Sequence, residues 1–209
     1  MTTQSTPGPI GTDRPVVNPT AALSVVVPAR DAASTIAASV RSITGQYRPV
    51  ADVVVVDDGS TDDTGAVVAG LDGDLGVEVV RTGGVGVSAA RNLGAARSTG
   101  DVLVFRDADD RLVPNATALF ATALAREAER AGAGAILHLA GRTGGLPPPP
   151  PAGVVDRVPP GSFAVTRALF DAVGGYDPDL AFGENTDLAM RLLDLVESRG
   201  GDRVVIVPN

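Results

Sequence analysis

The run FRDADD (Phe105 to Asp110) places three aspartates within four residues, at the end of the apolar stretch 102–105. Carboxylates this close repel one another unless a cation sits among them. In an extended segment residues two apart face the same side. Asp107 and Asp109 therefore read as facing one pocket, with Ala108 keeping the space between them open. Hard oxygen ligands suit Mg2+ or Mn2+, which take one or two carboxylates plus substrate phosphates and water. Such an ion acts as a Lewis acid on a leaving diphosphate. The same residues fit a solvated acidic turn in which Asp110 caps a helix, because Asp-x-Asp is a common pattern.

Three other clusters could do chemistry. In VVVVDDGSTDDT (53–64) an aspartate at a strand end can accept hydrogen bonds from a nucleobase or ribose, Gly59 permits a sharp turn, and Ser60 leads into a helix. Ordinary turn chemistry explains the same letters. Paired aspartates also mark phospho-acceptor receiver domains, but those need a later lysine and this chain has none. GGVGVSAARN (83–92) carries Gly84 and Gly86 of a dinucleotide fingerprint, yet Ala89 stands where the third glycine belongs, after the third strand rather than the first. A dinucleotide site is therefore discounted. The turn still brings a helix N-terminus and Arg91 toward the acidic rim; the bland alternative is close packing and a salt bridge from Arg91 to a nearby aspartate. Lastly, Glu184 and Asp187 lie three apart at a helix start and share a face. They read as a general base for an acceptor hydroxyl, or as acidic residues favoured electrostatically at a helix N-terminus.

These residues need a frame, and the apolar pattern supplies one. Strands are expected at 23–28, 52–57, 77–81, 101–106, 135–140 and 203–208. Helices are expected at 34–43, from a Ser60 or Thr61 cap to about Leu71, after the glycine turn to Ser98, from Pro114 to about Ala131, at 166–173 and at 185–198. Residues 141–161, with five consecutive prolines, read as a loop. Alternating strands and helices predict an α/β sandwich with a mostly parallel sheet, and ligands bind at the carboxyl ends of such strands. Arg30-Asp31, Asp57-Asp58 and Asp107 to Asp110 all fall on that rim.

Composition removes several classes. The 209 residues contain no cysteine, which excludes disulfides, thiolate nucleophiles and Cys-based zinc sites. The net charge of −8 disfavours nucleic acid, so an anionic ligand needs local arginines, helix N-termini or a metal. All 17 basic residues are arginine. No apolar run approaches the ~20 residues that span a bilayer, and the N-terminus lacks a signal-peptide pattern. The expectation is a cytoplasmic protein with a disordered leader over 1–21 and no transmembrane segment. Peripheral membrane contact is left open.

Taken in order, the four motifs resemble the family-2 glycosyltransferases of the GT-A fold, a Rossmann-like α/β/α sandwich of the nucleotide-diphospho-sugar transferase superfamily. The resemblance runs from about Leu23 to Pro208. LSVVVPARDAAST looks like the opening strand and helix, usually close to VSVVIPTYN. VVVVDDGSTDDT is similar to the nucleotide-binding turn, GVSAARNLGAARSTGDVLVFRDADDRLVP to the donor and metal segment, and GSFAVTRALFDAVGGYDPDLAFGENTDLAMRL to the acceptor segment. The resemblance implies one domain over 22–209, with a nucleotide and metal half to 115 and an acceptor half from 116. It implies a metal-dependent, inverting hexosyltransferase that uses a UDP or GDP sugar and an unspecified glycan, lipid or small-molecule acceptor. Pro28, Arg30, Asp31, Gly59, Ser60, Arg91 and Ala108 would line the donor pocket and Asp58 would contact the base. Asp107 would serve the ribose or metal shell, and Asp109 would ligate Mn2+ or Mg2+.

Three departures stand out. The family usually has Glu-Asp, with the aspartate as base, where this chain has Glu184-Asn185; an amide cannot take a proton at neutral pH. Glu184 or Asp187 must then serve, or the protein is a weakened or inactive nucleotide-sugar binder. Family members often continue past the last strand to a metal-holding histidine, whereas these residues end at Asn209. Arg30 stands where an aromatic is common. A nucleotidyltransferase would carry a glycine-rich basic signature after the first strand, which VPARDAAST lacks.

Overall fold

The computed structural model describes residues 21–71, 76–122, 135–140, 163–180, 182–199 and 203–208. The expected leader 1–21, apart from its last residue, and the proline-rich loop 141–161 lie outside that set. Seven strands form one sheet: β1 Leu23–Ala29, β2 Asp52–Asp57, β3 Val77–Arg81, β4 Val102–Phe105, β5 Ala135–Ala140, β6 Phe163–Thr166 and β7 Arg203–Pro208. Five helices are α1 Ile36–Thr44, α2 Thr64–Ala69, α3 Val87–Arg97, α4 Arg167–Ala172 and α5 Glu184–Arg199; residues 116–122 are helical as well.

The strand order is β3-β2-β1-β4-β6-β5-β7. Only β6 runs against its neighbours, pairing antiparallel with both β4 and β5. Valine runs such as 25–27 and 53–56 suit strands buried on both faces. Successive residues go to opposite layers: Val25, Val27, Val53 and Val55 pack with Ile36, Val40 and Ile43 of α1 and with Phe120, while Val26, Leu103 and Phe105 pack with Leu169, Leu188 and Leu192. The result is the expected α/β/α sandwich. The chain leaves β1 for one side of the sheet and later places β4 on its other side. That reversal of strand order opens a crevice at the carboxyl ends of β1 and β4.

α3 lies close against the sheet because Gly94 has no side chain. A Cβ there would sit 2.3 Å from Val26 Cγ1 and 3.3 Å from Val56 Cγ2. This contact keeps the N-terminal end of α3, and Arg91, beside the crevice.

Three expectations are corrected. Ser60 and Thr61 do not cap α2, which starts at Thr64; the Ser60 hydroxyl accepts the Asp31 N–H at 3.0 Å and the Thr61 hydroxyl donates to Asp31 Oδ1 at 3.0 Å. They tie the β2–α2 loop to the β1–α1 loop instead. Strand β6 was not expected, because FAVT is only four residues long and runs straight into α4. The strand ending in the acidic run is shorter than predicted and stops at Phe105.

Candidate functional site

The acidic run leaves β4 as a turn. The Asp110 N–H donates to the Asp107 carbonyl at 3.2 Å, so the side-alternation of an extended segment does not apply to Asp107 and Asp109. Ala108 is buried in the α1-side core rather than lining an open space. Asp110 pairs with Arg106 at 3.6 Å and begins no helix. Asp107 remains half exposed, with Oδ1 bonded to Arg91 Nη2 at 2.8 Å. Asp109 is exposed and hydrogen-bonds to nothing among the described residues.

Arg91 joins the two halves of the crevice. It is only 4% exposed. Nη2 holds Asp107 from the end of β4, Nη1 holds Glu184 Oε1 at 3.0 Å from the start of α5, and the guanidinium lies 5.1 Å from the centre of the Tyr176 ring. Burial by itself lowers the Arg91 pKa, but Tyr176, Glu184 and Asp107 reverse that and raise it. The group is a permanent cation, and both Nη atoms have partners within the protein.

Tyr176 is the residue that sequence reasoning missed. It is fully buried, and burial pushes its hydroxyl far up, so it stays a neutral donor. That hydroxyl donates to Asn185 Oδ1 at 3.0 Å. Asn92, one residue after Arg91, clamps the Tyr176 backbone, donating to its carbonyl at 2.8 Å and accepting its N–H at 2.9 Å. A Cβ on Gly175 would sit 2.7 Å from Asn92 Oδ1. The available signal was the Gly-Gly-Tyr sequence in a chain with only two tyrosines.

Asp187 is directed elsewhere. Its Oδ2 receives Arg191 Nε at 2.8 Å and Nη2 at 2.5 Å, and Arg191 Nη1 donates to the carbonyls of Val173 and Gly175 at 2.8 Å each. The pair ties α5 to the end of α4. Among the described residues Glu184 is hydrogen-bonded through Oε1 and not through Oε2.

At the carboxyl ends of β1 and β2 the loops interlock. Asp58 is buried, and its carboxylate accepts the Thr82 hydroxyl, the Val85 N–H at 2.7 Å and the Gly86 N–H at 2.9 Å. Burial raises its pKa, but these three bonds and the charge of Arg30 outweigh it and hold the carboxyl below its usual range. Asp58 thus pins the glycine turn before α3. Gly59 has φ 73° and lies against that turn; a Cβ would sit 2.8 Å from Gly84 N. Ser60 is buried, its N–H donating to Asp57 Oδ1 at 3.0 Å. Asp31 is a non-glycine residue at positive φ, 48°. Bonds from the Thr61 N–H and hydroxyl hold its carboxyl below the usual range. Arg30 is exposed at the rim, while Pro28 is buried within β1.

Among the described residues no group of three or more histidine, cysteine, aspartate or glutamate side chains could hold a metal ion. Asp107 and Asp109 are both solvent-accessible carboxylates at the end of β4, the ligand type that Mg2+ or Mn2+ takes one or two of, with phosphate and water for the rest. No helix among the described residues is long and apolar enough to cross a membrane.

A family model described as glycosyl transferase family 2 matches residues 24–145. The succinoglycan biosynthesis protein ExoU of Rhizobium meliloti is 40% identical over 92 residues, which are 43% of this chain and 27% of that protein. Among solved structures, Staphylococcus aureus TarS superposes with a TM-score of 0.73 at 20% identity, over 88% of this chain and 35% of that one. The mannosyltransferase PcManGT from Pyrobaculum calidifontis, in complex with GDP-Man and Mn2+, superposes with a TM-score of 0.70 at 23% identity, over 94% of this chain and 58% of that one. Both share the GT-A fold seen here. The chain therefore spans less than two thirds of each of these relatives.

Proposed function

The chain belongs to glycosyl transferase family 2, and from that premise we propose that it moves a hexosyl group from a UDP or GDP sugar to an acceptor hydroxyl, inverting the anomeric carbon. The observation that carries this reading is the buried Arg91, bonded at once to Asp107 on the donor rim and Glu184 on the acceptor side. One rigid cation at that junction sets the spacing between the group facing the leaving diphosphate and the group facing the nucleophile. Orientation of that kind lowers the barrier by making attack effectively unimolecular.

Glu184 is the general base in this reading. Asp187 is held by Arg191, and Asn185 is an amide held by Tyr176. Glu184 keeps Oε2 for the acceptor proton. The acceptor oxygen forms its bond to the anomeric carbon as the bond to the diphosphate breaks, and the nucleoside diphosphate leaves from the opposite face. Attack in line with the leaving group is what inverts the centre. Asp109 and Asp107 would hold Mg2+ or Mn2+, which supplies Lewis-acid stabilisation of the leaving diphosphate when bound. The complexes of TarS with UDP-GlcNAc and of PcManGT with GDP-Man and Mn2+ support the donor class and the ion. The glycine turn, with the N-terminus of α3 behind it, supports a phosphate-bearing donor in an otherwise acidic protein. A cytoplasmic setting, expected from composition, goes with this reading.

The test is a thermal-shift panel of UDP-glucose, UDP-GlcNAc and GDP-mannose, each with and without Mn2+, followed by nucleoside diphosphate release on adding sugar acceptors. Stabilisation by none of the donors would falsify the reading. Asn185 motivates a second one, a nucleotide-sugar binder without turnover: donor stabilisation with no release in wild type or Asn185→Asp favours it.

A further inference from the structure

The described phenylalanine side chains divide sharply. Phe105, Phe120 and Phe170 are buried, whereas Phe182 is 90% exposed. Its position is specific. Gly183, at φ 75°, turns the chain from Phe182 into α5, whose first residue is Glu184. Two residues of chain span at most ~7 Å between Cα atoms, which places the backbone of Phe182 beside that of Glu184. An exposed ring forgoes the burial that draws phenylalanine inward.

We propose that Phe182 is the floor of an acceptor subsite that takes an uncharged pyranose ring. The proposal rests on the reading of Glu184 as the group that takes the acceptor proton. The C–H face of a pyranose is weakly positive and apolar, and it complements the negative π face of the phenyl ring. Its edge hydroxyls are donors, and Asp177, Asp179, Glu184 and Asn185 flank Phe182 in sequence with oxygen acceptors. The same acidic surroundings repel an anionic sugar or an anionic lipid surface. A membrane contact needs a contiguous apolar patch with basic residues around it, and the charged residues nearest Phe182 in sequence are acidic. Met190, an exposed apolar residue of α5, lies six residues past Glu184 and ~120° around the helix from it.

The experiment is saturation-transfer NMR with millimolar methyl glycosides of glucose, galactose, mannose and N-acetylglucosamine, on wild type, Phe182→Ala and Phe182→Trp. The position is exposed, so both variants keep the core intact. At least one glycoside is expected to take saturation on the protons of one ring face from wild type and Phe182→Trp. In Phe182→Ala that signal falls to near background. In transfer assays Phe182→Ala raises the acceptor KM about 10-fold and leaves the donor KM unchanged. Equal saturation in wild type and Phe182→Ala, or none from any glycoside in wild type, overturns the proposal. So does Phe182-dependent binding to phosphatidylglycerol vesicles without glycoside binding, which assigns the ring to a membrane. Because saturation does not depend on turnover, the two readings separate. If Glu184→Gln transfers sugar like wild type while Phe182→Ala still loses saturation, the base assignment fails and the subsite stands.

Discussion

Replacing Arg91 with lysine tests the junction between donor rim and acceptor side. An ammonium keeps the charge but cannot donate to Asp107 and Glu184 in the two directions that the guanidinium fork does. Each hydrogen bond to a charged partner contributes about 1.5–3 kcal/mol. Asp107 is 46% exposed and Glu184 18% exposed, so solvent screens the first bond more than the second. Losing one of the two, and part of the stacking on Tyr176, is expected to cost about 2 kcal/mol. For a domain of this size that lowers Tm by roughly 4–8 °C. The catalytic effect separates a positioning residue from a structural one. A displacement of about 1 Å costs about 100-fold in rate, so kcat is expected to fall by about 100-fold with donor KM little changed. Urea unfolding gives the stability term and initial rates give the kinetic one. A cycle with Glu184→Gln is expected to show a coupling of about 1–2 kcal/mol in the transition-state term. Additivity within about 0.5 kcal/mol would refute the argument. A defect confined to donor KM would refute it too, and would make Arg91 a nucleotide contact.

Four further outcomes follow from the geometry. Gly94→Ala drives a methyl to 2.3 Å from Val26 Cγ1; overpacking exceeds the gain in helix propensity, and a loss of about 2 kcal/mol is expected in thermal melts, with an unchanged Tm counting against the close contact. Asp58→Asn places an amide against the Gly86 and Val85 N–H groups and is expected to cost about 2–3 kcal/mol at neutral pH. Because the folded pKa of Asp58 is depressed, its contribution is present above the unfolded value of about 3.9 and disappears as pH falls through the folded one; a gap between wild type and variant that does not narrow in acid contradicts this. Glu184→Gln is expected to lower transfer by about 100-fold or more, whereas Asn185→Asp, whose oxygen still accepts from Tyr176, folds normally and changes rate little; the reverse pattern moves the base to position 185. Asp109→Ala is expected to abolish Mn2+-dependent stabilisation by donor while leaving the apo Tm unchanged, and persistence of the Mn2+ effect removes Asp109 from the ion's shell.

Local patterns carried much of the fold. Runs of β-branched residues such as 53–56 announce a strand buried on both faces, and Ile36, Val40 and Ile43 announce a helix with one apolar side, because both periodicities follow from backbone geometry alone. β6 escaped because four residues joined directly to a helix leave no period to read. Ser60 and Thr61 misled because a hydroxyl before a helix caps it by default, yet here Asp31, 29 or 30 residues earlier, offers better partners. At the site, types were legible but partners were not. Asp58 stands at a strand end, and the bonds by which its carboxylate closes the glycine turn, from residues 27 and 28 positions later, cannot be read from its neighbours in the chain.

The sequence by itself determined the order of the strands and helices other than β6, the rim on which the aspartates gather and the family to which residues 24–145 belong. Each of these depends on near neighbours in the chain or on letters in order. Tertiary structure alone decided how the two acidic segments relate. Glu184 lies 93 residues from Arg91, and Tyr176 lies 84 from the Asn92 that clamps it. The antiparallel entry of β6 beside β4 brings α4, Tyr176 and α5 to the layer that α3 occupies. Only there can one buried guanidinium satisfy Asp107 and Glu184 together. Charge pairing of this kind depends on distance in space, and no spacing in the chain encodes it.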